Sequence, residues 1–389
     1  MEQSDAKIRL LIVEPFLTVG GEEKIVFNLL RHLDTKEFSP EIICSPEGAM
    51  LPELQRLGFP LHYVKIKSKR DWPAFFQILN IIRKGSFHII HGHSSFAGLF
   101  TRIANLFTGR KAIIWTEHLL PHQHHKLTAN SRFWGRLYTI PFFLLELITD
   151  KIVYVSETMQ KERMAYKPFD NKKMIVISNG ISFDFSDYKE QRKAFRRKIG
   201  ASETTCVIGI VTVLKQQKGV DIFLQSMKIL TEQDCNFLGV VIGKGPDEAE
   251  IRHLHGELGL EGRVIFTGEE KDVGQALAGM DIVVLPSRFE GMSVTLLEYL
   301  AAGLPIIASD IASNREVLGE EDCGLIFPSE DYQALAASIE SLLTSPQRCE
   351  TLSKNARQRF EKRYSAVRMA RDYQSLYQSV LRKRQVIPS

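Results

Sequence analysis

The sequence contains few cysteines and no long apolar run. Its five cysteines are scattered without a Cys-x-x-Cys pair, and four of them lie in or beside apolar runs. That usage is typical of buried thiols in a reduced cytosolic protein and offers no disulfide framework. The longest apolar stretch, Leu137–Ile148, contains Pro141 and Glu146 and is too short to span a bilayer. The early run IRLLIVEPFL predicts a first strand and lacks a cleavage site, so we expect a cytoplasmic protein.

The net charge of the chain is also small. The formal net charge of +4 over 389 residues gives no reason to expect nucleic-acid binding. The positive excess is local: between Lys65 and Lys111 there are nine bases and one acid, with Trp72, Phe75 and Phe76 among them. Such a surface suits an anionic membrane, on which the protein would be peripheral, or an acidic or lipid-diphosphate acceptor. A solvated face with a buried apolar side explains the pattern equally well.

Strand-like and helix-like patterns alternate along the whole chain, which predicts parallel sheets with helices on both faces. The length suits two α/β domains. We predict a first domain over 1–185, a linker with a short helix over 186–203, a second domain over 204–360 and a final helix over 361–389. Ligands of such domains bind at the carboxyl ends of the strands. The predicted strands are Ile8–Val13, Glu41–Ser45, Leu61–Val64, Ile89–His91, Ala112–Thr116, Lys151–Ser156, Met174–Ser178, Val207–Val211, Phe237–Ile242, Val264–Thr267, Asp281–Leu285, Pro305–Ser309 and Gly324–Phe327.

The stretch around Glu290 is the most informative of the chain. An apolar run from Ile282 to Leu285 predicts a buried strand, and Gly291 is predicted to open the next helix. Glu290 then lies in the loop at the carboxyl edge of the sheet. Glu298 lies about two turns into the helix, on the order of 12 Å away. A sugar nucleotide is about that long, so one carboxylate could bind each of its ends.

The residues between the two glutamates add an anion site. The amides of Gly291, Met292 and Ser293 would face outward at the positive end of the helix dipole, where a diphosphate binds well. The alternative is an ordinary surface helix with two solvated glutamates, and the spacing alone does not exclude it.

This stretch resembles the signature of the family-4 (group 1) retaining glycosyltransferases of GT-B fold. The family pattern P-S-x-x-E-G, a second glutamate after seven residues and A-x-G-x-P appear here as PSRFEG (286–291), Glu298 and AAGLPI (301–306). Further similar segments follow in the family's order over nearly the whole chain. They are GGEEKIVFNLL from Gly20, FHIIHGHSSFAGLF from Phe87, IIWTEH ending at His118, LKQQKGVDIFL around Lys218 and GKGPDEAEIRHLHGELGLEGRVIFTG, which contains Gly243.

The resemblance implies two Rossmann-like domains with parallel sheets facing across a cleft, and a last helix that crosses back to the first domain. It implies transfer of a sugar from a UDP- or GDP-linked donor to a saccharide or lipid-linked acceptor, with retention, in cell-envelope polysaccharide or glycolipid synthesis. The sequence has no Asp-x-Asp pair, so we expect no metal and no cofactor.

The resemblance also implies roles for single residues. Glu290 would bind hydroxyls of the donor sugar and Glu298 the ribose hydroxyls. Lys218 would stabilise the negative charge that develops on the leaving diphosphate. Gly20 and Gly21 would let the backbone of the first domain approach the phosphates closely.

The phosphate loop departs from the family pattern. The pattern G-R-L-x-x-x-K-G is TVLKQQKG here, so Val213 replaces an arginine. Losing one charge-assisted contact costs on the order of 1.5–3 kcal/mol. Either Lys215 or a base of the first domain compensates, or the enzyme is slow. Gly243 is expected to border the donor pocket.

Histidines cluster at predicted strand ends. His118 occupies the position where the family places a side chain near the reacting sugar or acceptor, and a structural histidine is the alternative. His91 and His93 flank a glycine, and we expect one to line the cleft and the other to pack. The run at 122–125, His-Gln-His-His, lacks the spacing of a closed zinc site and predicts a mobile loop on the acceptor side.

Two other functions stay open at this point. The same fold supports nucleotide-sugar epimerases and phosphorylases, although the Glu-x7-Glu pattern argues against both. A non-catalytic sugar-nucleotide-binding subunit is the other alternative, and Val213 is the reason to consider it.

Overall fold

The structure is a computed structural model that describes residues 7–17, 20–67, 71–93, 95–109, 111–119, 144–165, 171–184, 187–270, 272–320 and 322–384. The chain divides into two compact units. Unit 1 comprises residues 1–181 and 366–389, and unit 2 comprises residues 182–365. Unit 1 is therefore built from two separate segments of the chain.

The described part of unit 1 contains a seven-stranded parallel sheet in the order β3-β2-β1-β4-β5-β6-β7. The chain order reverses between β1 and β4, which is where ligand sites form in open α/β sheets. The strands are β1 (Ile8–Val13), β2 (Phe38–Cys44), β3 (Leu61–Tyr63), β4 (Ile89–His93), β5 (Ala112–Glu117), β6 (Lys151–Tyr154) and β7 (Met174–Val176). The helices are α1 (Gly21–Arg31), α2 (Leu51–Arg56), α3 (Trp72–Lys84), α4 (Ser95–Asn105), α5 (Glu157–Met164) and, from the second segment, α14 (Ala366–Lys383).

Unit 2 contains a six-stranded parallel sheet in the order β10-β9-β8-β11-β12-β13, with the reversal between β8 and β11. The strands are β8 (Cys206–Val211), β9 (Phe237–Ile242), β10 (Val264–Gly268), β11 (Ile282–Leu285), β12 (Ile306–Ser309) and β13 (Leu325–Phe327). The helices are α6 (Tyr188–Ile199), α7 (Val220–Glu232), α8 (Glu248–Glu257), α9 (Val273–Ala278), α10 (Val294–Ala302), α11 (Ala312–Leu318), α12 (Tyr332–Leu343) and α13 (Pro346–Arg363).

The cores lie between the sheets and their helices. In unit 2, side chains of the central strands such as Ile210 and Val241 pack against Phe223 and Met227 of α7 and Leu335 of α12. Strands covered on both faces are continuous apolar runs, and for that reason the predicted positions match the observed ones closely. The predicted α/β fold class is confirmed.

The charged stretch predicted as a linker is a full helix of unit 2. Helix α6 packs on α9, and two of its arginines, Arg192 and Arg196, bind groups at the end of α9 and the start of β11. Arg196 is buried and donates to Asp281 and to the carbonyl of Gly279, and Arg192 also donates to Asp281. The stretch looks solvated in sequence because Arg196, one of its buried side chains, is cationic, while its buried apolar side chains are Phe195 and Ile199.

The final helical stretch is also divided. Helix α13 ends at Arg363, and α14 starts only at Ala366, whose amide donates to the carbonyl of Ile181. Helix α14 packs on α1, and Tyr377 lies edge-on to Phe38 of β2 at 5.8 Å between ring centroids. Within the described ranges, no helix is both long and apolar enough to cross a membrane.

Candidate active site

Glu290 and Lys218 lie together at the carboxyl edge of the unit 2 sheet. Nζ of Lys218 donates to Oε1 of Glu290 at 2.6 Å, and Oγ of Ser287 donates to the same oxygen at 2.8 Å. The Glu290 side chain is 8% exposed and that of Lys218 is 18% exposed. The two residues named from the sequence therefore form one partly buried ion pair, at the reversal between β8 and β11.

Two loops are tied together to form this pair. The amide of Arg288 donates to the carbonyl of Gln217, and Nε2 of Gln217 donates to the carbonyl of Phe289. Gly219 has a φ of +66°, and a Cβ on it would lie 2.1 Å from the carbonyl oxygen of Pro286. Gly219 is thus required locally, because only glycine allows the loop after β8 to pack so closely against the end of β11.

Helix α10 begins later than predicted. Its first residue is Val294, and Ser293 is the N-cap, with its hydroxyl accepting from the amide of Leu296. Serine is a strongly preferred N-cap, so the helix starts there and Gly291 and Met292 belong to the preceding loop. Glu298 is consequently in the second turn of the helix, and the helix spans only Val294 to Glu298 of the stretch over which the separation of about 12 Å is predicted.

Glu298 is held by a rigid helix. Its side chain and that of Tyr299 are largely buried. The Tyr299 hydroxyl accepts from the amide of Val211 at 2.9 Å and donates to the carbonyl of Val284 at 3.4 Å. Tyr299 thereby fixes α10 to both strands that flank the reversal of the sheet.

The loops after β8 and β9 adjoin each other beside this pair. Gly243 has a φ of +130°, and a Cβ there would lie 1.8 Å from the carbonyl oxygen of Thr212. The amide of Leu214 donates to the carbonyl of Lys244 at 3.0 Å. Val213, which replaces the family arginine, is 42% exposed.

Lys215 remains the nearest candidate for the missing charge. Burial lowers its pKa, and the positive charge of Lys218 lowers it further. Glu290 and Asp247 oppose this shift. Lys215 and Lys218 therefore lie close enough for their charges to repel each other.

In unit 1, Gly20 is the N-cap of α1 and Gly21 its first residue. A Cβ at Gly20 would lie 2.2 Å from Oε2 of Glu23, so the missing side chain makes room for that carboxylate. Burial raises the pKa of Glu14 well above its usual range, and the charges of Glu22 and Glu23 add to the shift. Burial also raises the pKa of Glu22 to about 8, with Glu23 adding to the shift. Glu22 and Glu23 follow the glycines in the sequence, but the approach of Glu14 to them could not be foreseen from the pattern.

Three of the histidines of unit 1, His91, His93 and His118, lie toward the carboxyl ends of β4 and β5. Nδ1 of His93 is 3.1 Å from Nε2 of His118. The prediction that one of His91 and His93 lines the cleft while the other packs is wrong, because both side chains are fully buried. Residues two apart on a strand point to the same face, and the His91 and His93 rings lie 4.2 Å apart between centroids.

Burial lowers the pKa of His118 to about 4 and that of His91 to about 3. Burial also brings the pKa of His93 well below its usual range, and His91 and His118 lower it further. The cluster is therefore neutral at pH 7.

The histidine-rich run at 122–125 lies outside the described residues. Among the residues that are described, no group of three or more His, Cys, Asp or Glu side chains is placed to hold a metal ion.

Two contacts near the candidate site residues escaped the sequence reasoning. Arg288, the variable position in PSRFEG, donates two hydrogen bonds of 3.0 and 2.7 Å to Asp221 and two of 3.0 and 3.2 Å to Glu330. The second is the contact between His93 and His118. In the sequence, only the apolar runs that make β4 and β5 neighbours could have indicated it.

Known protein families match both halves of the chain. Residues 19–185 match the model of Glycosyltransferase Family 4, and residues 191–359 match that of Glycosyl transferases group 1. The chain belongs to the family-4 (group 1) glycosyltransferases, and the predicted family is confirmed. It is thus a glycosyltransferase of GT-B fold.

Individual relatives agree with this assignment. The chain is 23% identical over 386 residues to the UDP-Gal:alpha-D-GlcNAc-diphosphoundecaprenol alpha-1,3-galactosyltransferase of Escherichia coli, covering 97% of this chain and 98% of the relative. It is 24% identical over 378 residues to the capsular polysaccharide biosynthesis glycosyltransferase CapM of Staphylococcus aureus, covering 94% and 97%. The crystal structure of Anabaena HepE with UDP and glucose has the same fold, with a TM-score of 0.82, 18% identity and coverage of 96% and 100%.

Proposed function

We propose that this glycosyltransferase transfers a sugar from a UDP-linked donor to a saccharide or lipid-linked acceptor in cell-envelope polysaccharide synthesis. We further propose that it retains the anomeric configuration and needs no metal ion. The observation that carries the proposal is the Lys218–Glu290 pair beside the start of α10, in a chain whose family transfers sugars. The names of the Escherichia coli and Staphylococcus aureus relatives support the substrate class.

The pair suggests how donor binding proceeds. Lys218 and Glu290 pair with each other in the structure. A bound donor offers a diphosphate to the ammonium and sugar hydroxyls to the carboxylate, so each partner exchanges one contact for another. Since the bond that breaks leaves charge on the diphosphate, the Lys218 contact strengthens toward the transition state.

The remaining residues of unit 2 complete the donor site in this proposal. Glu298 accepts from the ribose hydroxyls. The amides of the Gly291–Ser293 loop and the first turn of α10 face the diphosphate, where the helix dipole favours an anion. Lys215 supplies a second cation in place of the arginine that Val213 replaces, and Gly243 borders the site. These cations and amides provide the charge stabilisation for which other enzymes use a metal ion.

Residues of unit 1 are proposed to act on the acceptor and the phosphates. His118 contacts the acceptor or the transferred sugar. Gly20 and Gly21 let the backbone approach the phosphates, and for Gly20 this requires the Glu23 carboxylate to move away. UDP is preferred over GDP because both the Escherichia coli relative and the Anabaena HepE complexes carry uridine diphosphate in their names.

A peripheral position on the cytoplasmic face of an anionic membrane is part of the proposal. Helix α3 buries Phe75 but exposes Trp72 by 64% and Phe76 by 60%. The two exposed rings are one helical turn apart on a helix that ends with Arg83 and Lys84. Exposed aromatics beside cations suit the interface of a membrane that carries a lipid-linked acceptor.

Calorimetric titration with UDP, GDP and ADP in excess EDTA tests the donor site. We expect UDP to bind the wild type and the Glu350→Ala control, whose exposed substitution lies on α13, and to bind Glu298→Ala and Lys218→Met more weakly. Circular dichroism checks that the variants are folded. A folded wild type that binds none of the three nucleotides would overturn the donor site.

Turnover of a UDP-sugar panel with lipid-linked saccharides, in EDTA, tests the chemistry. The proton NMR coupling of the new anomeric centre reports the configuration. Inverted product, or activity that requires added metal, contradicts the corresponding part of the proposal. Conversion of the UDP-sugar without any acceptor would support the epimerase alternative.

A further inference from the structure

The imidazole of His118 is hydrogen-bonded to the fully buried imidazole of His93. Nδ1 of His93 lies 3.1 Å from Nε2 of His118, and the rings are nearly stacked, with centroids 5.4 Å apart and planes at 29°. His93 has no exposed surface, so it cannot contact a substrate itself. One ring nitrogen of His118 is therefore occupied within the protein.

We propose that His93 is a positioning residue that holds His118 through Nε2, in the tautomer that carries its proton on Nδ1. Nδ1–H of His118 is then the donor presented to the acceptor or the transferred sugar. This inference rests on the proposed role of His118 and adds the identity, direction and support of the group that acts.

The direction of the hydrogen bond follows from what surrounds His93. Because both rings are neutral, one nitrogen of the pair must donate and the other must accept. Nε2 of His93 is buried and has no hydrogen-bond partner in the described part of the chain. A buried N–H without a partner is rarer and more costly than a bare lone pair. His93 therefore carries its proton on Nδ1 and donates it, so Nε2 of His118 is the acceptor.

The ring of His93 is itself held in place by the ring of His91. The His91 ring lies 4.2 Å from it between centroids. Nδ1 of His91 is 2.8 Å from the hydroxyl of Tyr377, and Nε2 of His91 is 2.8 Å from Oγ1 of Thr116. Oγ1 of Thr116 is in turn 3.0 Å from the hydroxyl of Tyr373. Both ring nitrogens of His91 are thus satisfied by neighbours from β5 and α14.

Because these contacts fix the orientation of the His93 ring, His93 can in turn fix the orientation of the His118 ring. β4 and β5 are neighbours in register, with His93 opposite Thr116. A hydrogen bond from a rigid strand to a residue just after the next strand defines the rotation of its ring, as buried partners of catalytic groups commonly do.

Three substitutions of His93 distinguish a role in hydrogen bonding to His118 from a role in packing alone. Asn places its amide where Nδ1 lies, Gln places the same amide one carbon further, and Phe retains a ring without a donor. We expect His93→Phe and His93→Gln to lower kcat on the order of 10–100-fold, with little change in KM for the donor. His93→Asn should restore kcat to within about threefold of the wild type. Equal activity of the Asn, Gln and Phe variants would overturn the proposal.

The variant His118→Phe keeps this test separate from the proposed function. If His118→Phe leaves kcat unchanged, the role given to His118 fails. If it lowers kcat while His93→Phe does not, only the positioning role fails. If both lower kcat, the double variant should be no slower than His118→Phe, because a positioning residue has no effect without its target. Additive losses would contradict positioning.

A spectroscopic readout is independent of activity. Nitrogen-15 NMR of histidine-labelled protein distinguishes protonated from bare ring nitrogens, and the His118 signals are those missing from the His118→Phe spectrum. We expect a protonated Nδ1 and a bare Nε2 for His118 in the wild type, and a mixture of tautomers in folded His93→Phe. A protonated Nε2 in the wild type would overturn the proposed tautomer.

Discussion

Lys218 and Glu290 neutralise each other across two loops of unit 2, with 2.6 Å between Nζ and Oε1. The pair joins the loop after β8 to the loop after β11, 72 residues apart in the sequence. Since both side chains are mostly buried, removing one leaves the other with too few partners.

We therefore expect Lys218→Met to lower the free energy of unfolding by about 1–3 kcal/mol. The double variant Lys218→Met/Glu290→Gln should recover part of that loss, because its remaining side chain is neutral. Lys228→Met is the control, since Lys228 pairs with Glu232 on the exposed side of α7, and it should cost below about 1 kcal/mol. Urea denaturation of the four proteins measures these differences, and equal losses for Lys218→Met and Lys228→Met would contradict the expectation.

Gly219 is required for two separate reasons, and a second glycine isolates one of them. Gly219→Ala would combine a φ of +66° with a Cβ 2.1 Å from the carbonyl oxygen of Pro286. Gly200 has a φ of +72°, but a Cβ added there would have no other atom within 4 Å. We expect Gly200→Ala to cost about 1–2 kcal/mol from backbone strain alone, and Gly219→Ala to cost clearly more. Thermal unfolding of both variants measures these costs. Similar losses of stability would show that the loop around Gly219 shifts to make room for the Cβ.

The carboxylates at the start of α1 predict a pH dependence. The usual pKa of Glu22 near 4.5 rises to about 8 in the folded chain, mainly through burial and then through Glu23. Between these values the folded protein keeps a proton that the unfolded chain has lost, so stability falls as pH rises from about 5 to about 8. Glu22→Gln should make this fall shallower and raise stability at pH 8.

Urea unfolding of unit 1 at several pH values measures this effect. The three tryptophans all lie within residues 1–181, so their fluorescence reports on unit 1. Glu53→Gln, an exposed substitution on α2, is the control and should leave the pH profile as it is. An unchanged profile for Glu22→Gln would exclude Glu22 as the cause.

The hydroxyl of Tyr377 on α14 is a hydrogen-bond partner of the buried Nδ1 of His91 on β4, and loss of this hydroxyl should lower the free energy of unfolding. In Tyr377→Phe, Nδ1 of His91 loses its 2.8 Å partner inside the core, which costs about 1–3 kcal/mol of unfolding free energy. Tyr63→Phe is the matched control, because its hydroxyl is a partner of Gln55 on a half-exposed side chain. Tryptophan fluorescence during urea unfolding again provides the measurement, and a loss no larger than that of the control would show that water replaces the hydroxyl.

The strands could be predicted because burial on both faces leaves a plain apolar run. The runs at Ile8–Val13 and Phe237–Ile242 coincide with β1 and β9. Helix α6 could not be predicted in the same way, because Arg196 is buried by pairing with Asp281 and carbonyls rather than by being apolar.

The candidate site shows the same division. A motif located Glu290 and Lys218, but nothing in the motif indicates that they pair with each other. The start of α10 is predicted at Gly291 because a glycine ends the loop, while the capping hydroxyl of Ser293 decides the observed start. The histidine contact depends on strand order, which a single sequence does not state.

The division of unit 1 into two segments has a consequence for biosynthesis. As the chain leaves the ribosome, residues 7–181 emerge without α14, and His91 and Thr116 then lack their tyrosine partners. Unit 2 is continuous and has all its strands once residue 365 has emerged. The unit that is synthesised first is therefore completed last, and the surface of its sheet and of α1 that α14 covers stays exposed while unit 2 is being made.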